Sequence, residues 1–251
     1  MSPAPALRVW PLDALPEVRP GDDLAALIVA AGADGLPPGA AVVVSHKVVS
    51  KAEGAIVRLA DVTPGPDARA LAGRLERDPR LMQVVLDQSA TVVRAERGVL
   101  ICRTHHGLVA AHAGVDQSNV TDGWCVTLPR DPDASARRLR AALPGRPAVV
   151  IADSFGRPWR HGQAEVAIGC AGIVPIDDQR GGTDRDGREL VATQIAIADQ
   201  VAAAADLVRG KTSGQPAVVV EGLDRWITDE DGPGAVELRR GADEDLFGPR
   251  G

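Results

Sequence analysis

The sequence predicts a mixed α/β or α+β fold, and three observations carry that expectation. Short β-branched runs alternate with Ala- and Leu-rich stretches of helical spacing along most of the chain. AVVVS from Ala41, AVVIADS from Ala148 and PAVVVEGL from Pro216 are apolar segments of strand length. No internal repeat or long linker divides the 251 residues, enough chain to bury a sizeable core. That core must be unusual, because Tyr is absent and aromatics are only 2% of the chain, so Val, Ala, Leu and Ile have to fill it.

Taken in order, Asp22 and Asp23 precede LAALIVAAGA, whose apolar spacing suits a helix with acidic residues at its positive end. The Gly35–Gly39 segment ends it. AVVVSHKVVS reads as a buried strand running into a polar turn and the KAEG segment. A second helix is expected from Pro79 to Val93, strand from Val99 to Val109, and a third helix from Asp131 to Leu143. AVVIADS delivers Asp153 and Ser154 to the carboxyl end of a strand, where open α/β sheets expose ligand groups. VAIGCAGIVPI from Val166 is a further strand whose glycines permit close backbone approach. Arg180–Arg188 is too polar for core and is read as a surface loop, followed by a long helix from Glu189 to about Val208. The charged, glycine-rich tail beyond Gly241 is expected to be loose at its end.

A formal charge of −6 argues against a nucleic-acid or anionic-membrane surface, so an anionic ligand must meet a local basic cluster. Cys102, Cys125 and Cys170 are widely spaced, suggesting buried thiols and neither a zinc site nor a disulfide framework. The N-terminal residues lack a signal-type apolar region, and nothing approaches the roughly 18 apolar residues of a membrane span. A cytoplasmic location is expected.

The sharpest chemical pattern is AGVDQSN, Ala113–Asn119, together with ADSFGRPWRHGQ, Ala152–Gln163. Asp116 and Asp153, with Ser154 beside the latter, are hard oxygen donors of the kind Mg²⁺ or Mn²⁺ takes when phosphate and water complete its shell. On spacing alone they could equally be turn or cap residues. Lys47 and Lys51 could face one anionic ligand, or be a solvated pair at a strand end. Arg157 and Arg160 flank Pro158 and Trp159 and suggest a carboxylate or phosphate clamp, with surface salt bridging as the competing explanation. GKTS at Gly210–Ser213 is not a P-loop: Ala205 stands where the motif needs glycine, and the segment follows a helix instead of a strand. The five histidines lack metal-ligand spacing, and neither GxSxG nor a cysteine nucleophile signature is present.

HKVVSKAEG, HGLVAAHAGVDQSNV, ADSFGRPWRHGQAEVAIGCAGIVPIDDQRGGTD and PAVVVEGL, taken together, resemble the coenzyme F420:L-glutamate ligases, and the likeness runs through nearly the whole chain. The resemblance implies an α+β ligase fold that is neither P-loop nor Rossmann. One ligase domain over 1–251 is expected, with room for two intertwined subdomains; some relatives continue into a flavin-binding domain, and these 251 residues, expected to hold none, are read either as a standalone ligase or as part of a longer two-domain protein. The resemblance further implies GTP as phosphoryl donor, a pair of divalent cations (Mg²⁺ or Mn²⁺), K⁺ stimulation and a homodimer. The implied reaction activates the carboxylate of the deazaflavin coenzyme F420 precursor as an acyl phosphate, which the amine of L-glutamate then attacks; some members add a further γ-linked glutamate. Asp116, Asp153 and Ser154 match metal-binding positions. Leu15, Pro16, Glu17, Val18, His46, Lys47, Lys51 and Asn119 match nucleotide-contacting positions, as does Arg209–Pro216 with Gly210 and Lys211. Asp116, Asp153 and Arg157 are the candidate catalytic residues. Lys211 departs from the pattern, standing where many relatives carry a carboxylate or amide for the second metal, and His46 and His112 replace residues more usual in the family. A related amide ligase with another acceptor and a non-catalytic nucleotide-binding module are the alternative readings.

Overall fold

The computed structural model describes residues 6–210, 212–241 and 243–245. The chain enters as β1 (Arg8–Pro11), a short strand that the sequence did not announce. Asp23 then caps α1 (Leu24–Ile28), its carboxylate accepting the Ala26 N–H at 3.0 Å, and one wider turn, Val29–Ala33, completes the expected helix. In β2 (Ala41–Ser45) the side chains from Ala41 to Val44 are fully buried. The strand does not run into a polar turn: His46–Ala52 is a helix, α2. Ser45, still extended, ends the strand, and His46, Val49 and Ser50 fall at i, i+3 and i+4 on the buried face.

After β3 (Ile56–Arg58) the chain forms α3 (Pro66–Leu75) and α4 (Pro79–Asp87). Asp78 caps α4 as a Pro-initiated helix, but the helix stops at Asp87, short of the expected Val93. The β-branched SATVV segment instead opens β4 (Ser89–Glu96), which pairs with β5 (Val99–Thr104). The expected single strand to Val109 is two, β5 and β6 (Val109–Ala111), separated by a tight turn at Gly107. β7 (Trp124–Val126) pairs back with β3. Asp131 caps α5 (Pro132–Ala142) as expected, accepting the Ala134 N–H at 2.9 Å. β8 (Ala148–Arg157) and β9 (Arg160–Ala171) form a long hairpin. β10 (Ile176–Asp178) pairs with β11 (Gln194–Ala196) around the polar Arg180–Arg188 loop. That pairing takes the start of the expected long helix, so α6 runs only from Ile197 to Asp206. β12 (Ala217–Glu221) closes the series. The tail beyond Gly241 falls largely outside the described residues, although Asp245 meets Arg103 at 2.7 Å.

β1-β12-β2-β8-β9 make one mixed sheet, in which only β2 and β8 are parallel. Val42, Val44, Val149 and Ile151 pack with α1, α2 and α5, while Val43, Val150, Val218 and Val220 pack with α6. Covering both faces is why these strands read as unbroken apolar runs, and each fully buried Val or Ile contributes roughly 1.5–3 kcal/mol. A second core lies between α3, α4 and the β4-β5-β6 sheet. The architecture is α+β: the sheet is mixed, and GKTS follows α6 and precedes β12. Among the described residues no helix is long and apolar enough to cross a membrane. All three cysteines are buried, and burial pushes the Cys125 thiol up to about 11 and Cys170 up to about 12.

Candidate active site

Pairing between β2 and β8 ends at Ser45 and Ala152. Beyond it β2 turns into α2 and β8 continues into its hairpin with β9, so the chain diverges at the carboxyl end of the one parallel pair. A cleft of about 390 Å³ opens there. Asp153 and Ser154 are therefore not at a strand end, as expected, but at the first positions of β8 past its parallel neighbour.

α2 supplies the cations. Lys47 and Lys51, one turn apart, share the face that meets the cleft. Lys47 Nζ lies 2.8 Å from Asp116 Oδ2 and donates to Ser118 Oγ at 2.5 Å. Lys51 Nζ lies 2.5 Å from Glu17 Oε1 and donates to the Asn119 carbonyl at 2.8 Å. His46, at the start of the helix, is buried with Nε2 at 3.2 Å from Asp153 Oδ1, close enough for an ion pair but outside hydrogen-bond geometry.

Asp116 reaches the cleft from the segment that follows β6. His112 and Ala113 take left-handed backbone angles (φ 50 and 53), and Gly114 follows at φ 73, where a Cβ would stand 2.7 Å from Leu128 Cγ. The turn delivers Asp116, which exchanges both backbone hydrogen bonds with Val126, at 3.0 and 2.8 Å. Burial alone would raise its carboxyl pKa, but hydrogen bonds from Lys47 and the Ser118 N–H outweigh that, and the net direction is down.

The far wall is built from β9 and the end of α6. Ser154 Oγ donates to Glu165 Oε1 at 2.6 Å, and Glu165 Oε2 lies 2.7 Å from Arg209 Nη2. Reading along the sequence names Ser154 and the segment that begins at Arg209 but misses Glu165, although one signal was present: Glu165 is a carboxylate entering the apolar β9 run.

The cleft thus gathers Leu15, Pro16, Glu17, Val18, His46, Lys47, Lys51, Asp116, Asn119, Asp153, Ser154 and Gly210. Lys211 lies outside the described residues. Arg157 does not join them. Four residues along a strand carry it about 13 Å beyond Asp153, to the exposed hairpin tip, where its guanidinium donates to the carbonyls of His161 (2.7 Å) and Gly162 (3.3 Å). Arg160 is likewise exposed and does not line the cleft. The expected clamp is instead the local bracing of a hairpin.

The donors suit a hard divalent cation shared with a phosphorylated ligand. Asp116 and Asp153 provide carboxylates and Ser154 a hydroxyl, and Asp153 Oδ2 takes no hydrogen bond among the described residues. Among the described residues no three His, Cys, Asp or Glu side chains cluster as a metal cage.

Fold and cleft define an α+β protein with a charged pocket beyond the ends of a mixed sheet, built without a P-loop. The profile of the F420-0:Gamma-glutamyl ligase family matches residues 14–222. The chain is 41% identical over 244 residues to the coenzyme F420:L-glutamate ligase of Methanothermobacter thermautotrophicus, covering 94% of this chain and 96% of the relative. The ligase of the same name from Methanopyrus kandleri is 41% identical over 253 residues, covering 98% and 100%. That of Halobacterium salinarum is 44% identical over 247 residues, covering 96% and 95%. The chain belongs to the F420-0:Gamma-glutamyl ligase family.

Proposed function

We propose that this protein joins L-glutamate to the carboxylate of the deazaflavin coenzyme F420 precursor, with GTP as phosphoryl donor and an acyl phosphate as intermediate. The observation that carries the reading is the meeting of Lys47 and Lys51 with Asp116, Asp153 and Ser154 in one cleft. The relatives' names supply the acceptor and the amino acid.

A carboxylate is a poor electrophile, so one of its oxygens must first become part of a leaving group. In the proposed sequence the precursor carboxylate attacks the γ-phosphorus and GDP departs. The glutamate amine then attacks the acyl carbon, expelling phosphate and losing a proton. No protein nucleophile is needed, and positioning the reactants can lower the barrier by roughly 7–11 kcal/mol. Lys47 and Lys51 would meet phosphate oxygens. Asp116, Asp153 and Ser154 would hold Mg²⁺ or Mn²⁺, which when bound neutralises charge on the β- and γ-phosphates. In the described cleft Lys47 already holds Asp116; drawing Lys47 onto phosphate releases that carboxylate, so nucleotide and cation each favour the other's binding. K⁺ stimulation, a second divalent cation, further γ-linked additions, a homodimer and a cytoplasmic location belong to the same reading.

The test is incubation with GTP, Mn²⁺, L-glutamate and the glutamate-free coenzyme. A gain in mass of one glutamyl unit is expected. Nucleotide binding without such a product would make the chain a binding module, and phosphate release with only a different acceptor would make it a related amide ligase. Asp116→Asn and Asp153→Asn should each keep the fold by circular dichroism while losing several kcal/mol of transition-state stabilisation, a hundredfold or more in rate by about 1.4 kcal/mol per decade. Near-normal turnover in either removes that residue from the site.

A further inference from the structure

The far wall of the cleft contains a buried group to which the mechanism above gives no part. Glu165 and Arg209 form an ion pair with side chains only 7% and 8% exposed. Glu165 stands directly opposite Ser154 across the β8–β9 register, and the Ser154 hydroxyl donates to its Oε1 at 2.6 Å. We infer that Glu165, held by Arg209, is a positioning residue that turns the Ser154 hydroxyl proton away from the cleft and so presents the oxygen lone pairs to a divalent cation. The inference rests on the proposed cation site.

The argument is one of donor and acceptor inventory. A hydroxyl has one proton and two lone pairs, and an ionised carboxylate only accepts. With its proton committed to Glu165, Ser154 offers the cleft only lone pairs, the half of the hydroxyl that a cation attracts. A proton aimed into the cleft would repel the cation instead. The Arg209 guanidinium stays charged and lies 2.7 Å from Oε2 as an ion pair outside hydrogen-bond geometry, while Oε1 accepts from the serine. Arg209 also opens the 209–216 segment, three residues beyond the end of α6, so the same contact ties the cation-facing strand to that segment. Partners of this kind typically change metal affinity 10- to 100-fold when removed.

The experiment measures free Mn²⁺ by electron paramagnetic resonance during titration of the full chain with GTP present and no acceptor, so that no turnover enters the reading. Ser154→Ala should weaken Mn²⁺ binding about 10- to 100-fold. Glu165→Gln, whose amide no longer fixes the direction of the serine proton, should weaken it about tenfold, and should add nothing in the Ser154→Ala background. A Glu165→Met, Arg209→Met double variant removes both charges together, guards against misfolding, and should weaken Mn²⁺ binding as Glu165→Gln does or more. Ser154→Thr, which keeps the hydroxyl, should stay within about threefold of the parent, well short of that 10- to 100-fold loss. A purely structural ion pair would change the unfolding temperature and leave Mn²⁺ affinity of the folded protein intact. Unchanged affinity in both Glu165 variants, with Ser154→Ala still weakened, overturns the inference and spares the cation site. Unchanged affinity in Ser154→Ala itself overturns both.

Discussion

The cleft has two kinds of ion pair, and their difference lies in which partner meets solvent. On the α2 side, Lys47 and Lys51 are mostly covered, while their carboxylates are not: Asp116 is 39% exposed and Glu17 is 72% exposed. On the β9 side both Arg209 and Glu165 are sealed. An exposed carboxylate is readily replaced by water or by an incoming anion, and such a pair contributes little to stability. Solvent cannot readily replace a lost member of a sealed pair: Arg209 also reaches Asp206 at 4.0 Å, but Glu165 without Arg209 is a buried charge with no cation among the described residues. The comparison teaches that the α2 lysines are poised to exchange partners, whereas the β9 pair is fixed architecture that shapes what it touches.

The largest expected effect breaks the sealed pair. Arg209→Met leaves Glu165 charged and buried, and should cost about 3–5 kcal/mol of folding stability in urea unfolding. The Glu165→Met, Arg209→Met double variant should recover most of it, since replacing a whole buried pair by apolar side chains is often close to neutral. A loss below about 1 kcal/mol for Arg209→Met, the range of exposed pairs, would mean that water reaches Glu165 and that the two sides of the cleft do not differ.

The same contrast explains which parts of the molecule the sequence disclosed. β2, β8 and β12 were legible because helices cover both sheet faces, making their runs continuously apolar. α5 was legible because Asp131 and Pro132 are local start signals. α2 was not, since Val48 and Val49 continue a valine run and hide the helical spacing of His46, Val49 and Ser50. α6 lost its first turns to a pairing with β10, a contact made between segments 16 residues or more apart. The residues that line the cleft from α2 and from the AGVDQSN turn were named from local pattern and resemblance. Glu165 was not, because its importance arises only when β9 folds back along β8 and sets it against Ser154. Arg157 erred the opposite way: near to Asp153 in sequence, it is carried off by the rise of the strand.

Among the exchangeable pairs the larger effect belongs to the cation. Lys51 is buried between Glu17 and the Asn119 carbonyl, well placed to give one charged hydrogen bond to a phosphate. Lys51→Ala should weaken GTP binding by about 1.5–3 kcal/mol, roughly ten- to hundredfold, while turnover at saturating GTP falls much less. An unchanged GTP titration would remove Lys51 from the phosphate site.

The smallest effect should fall on its partner, and its sign is the informative quantity. If the Glu17 carboxylate holds Lys51 only until phosphate arrives, the two compete, and Glu17→Gln should tighten GTP binding. The gain is at most about 1 kcal/mol because Glu17 is largely solvated, and it should fade as added salt screens the pair. With Lys51 already replaced by Ala, Glu17→Gln should change nothing, since the competition has lost its object. Weaker GTP binding in Glu17→Gln would mean that the carboxylate contacts the nucleotide directly, and Glu17 would then be a binding group and not a placeholder.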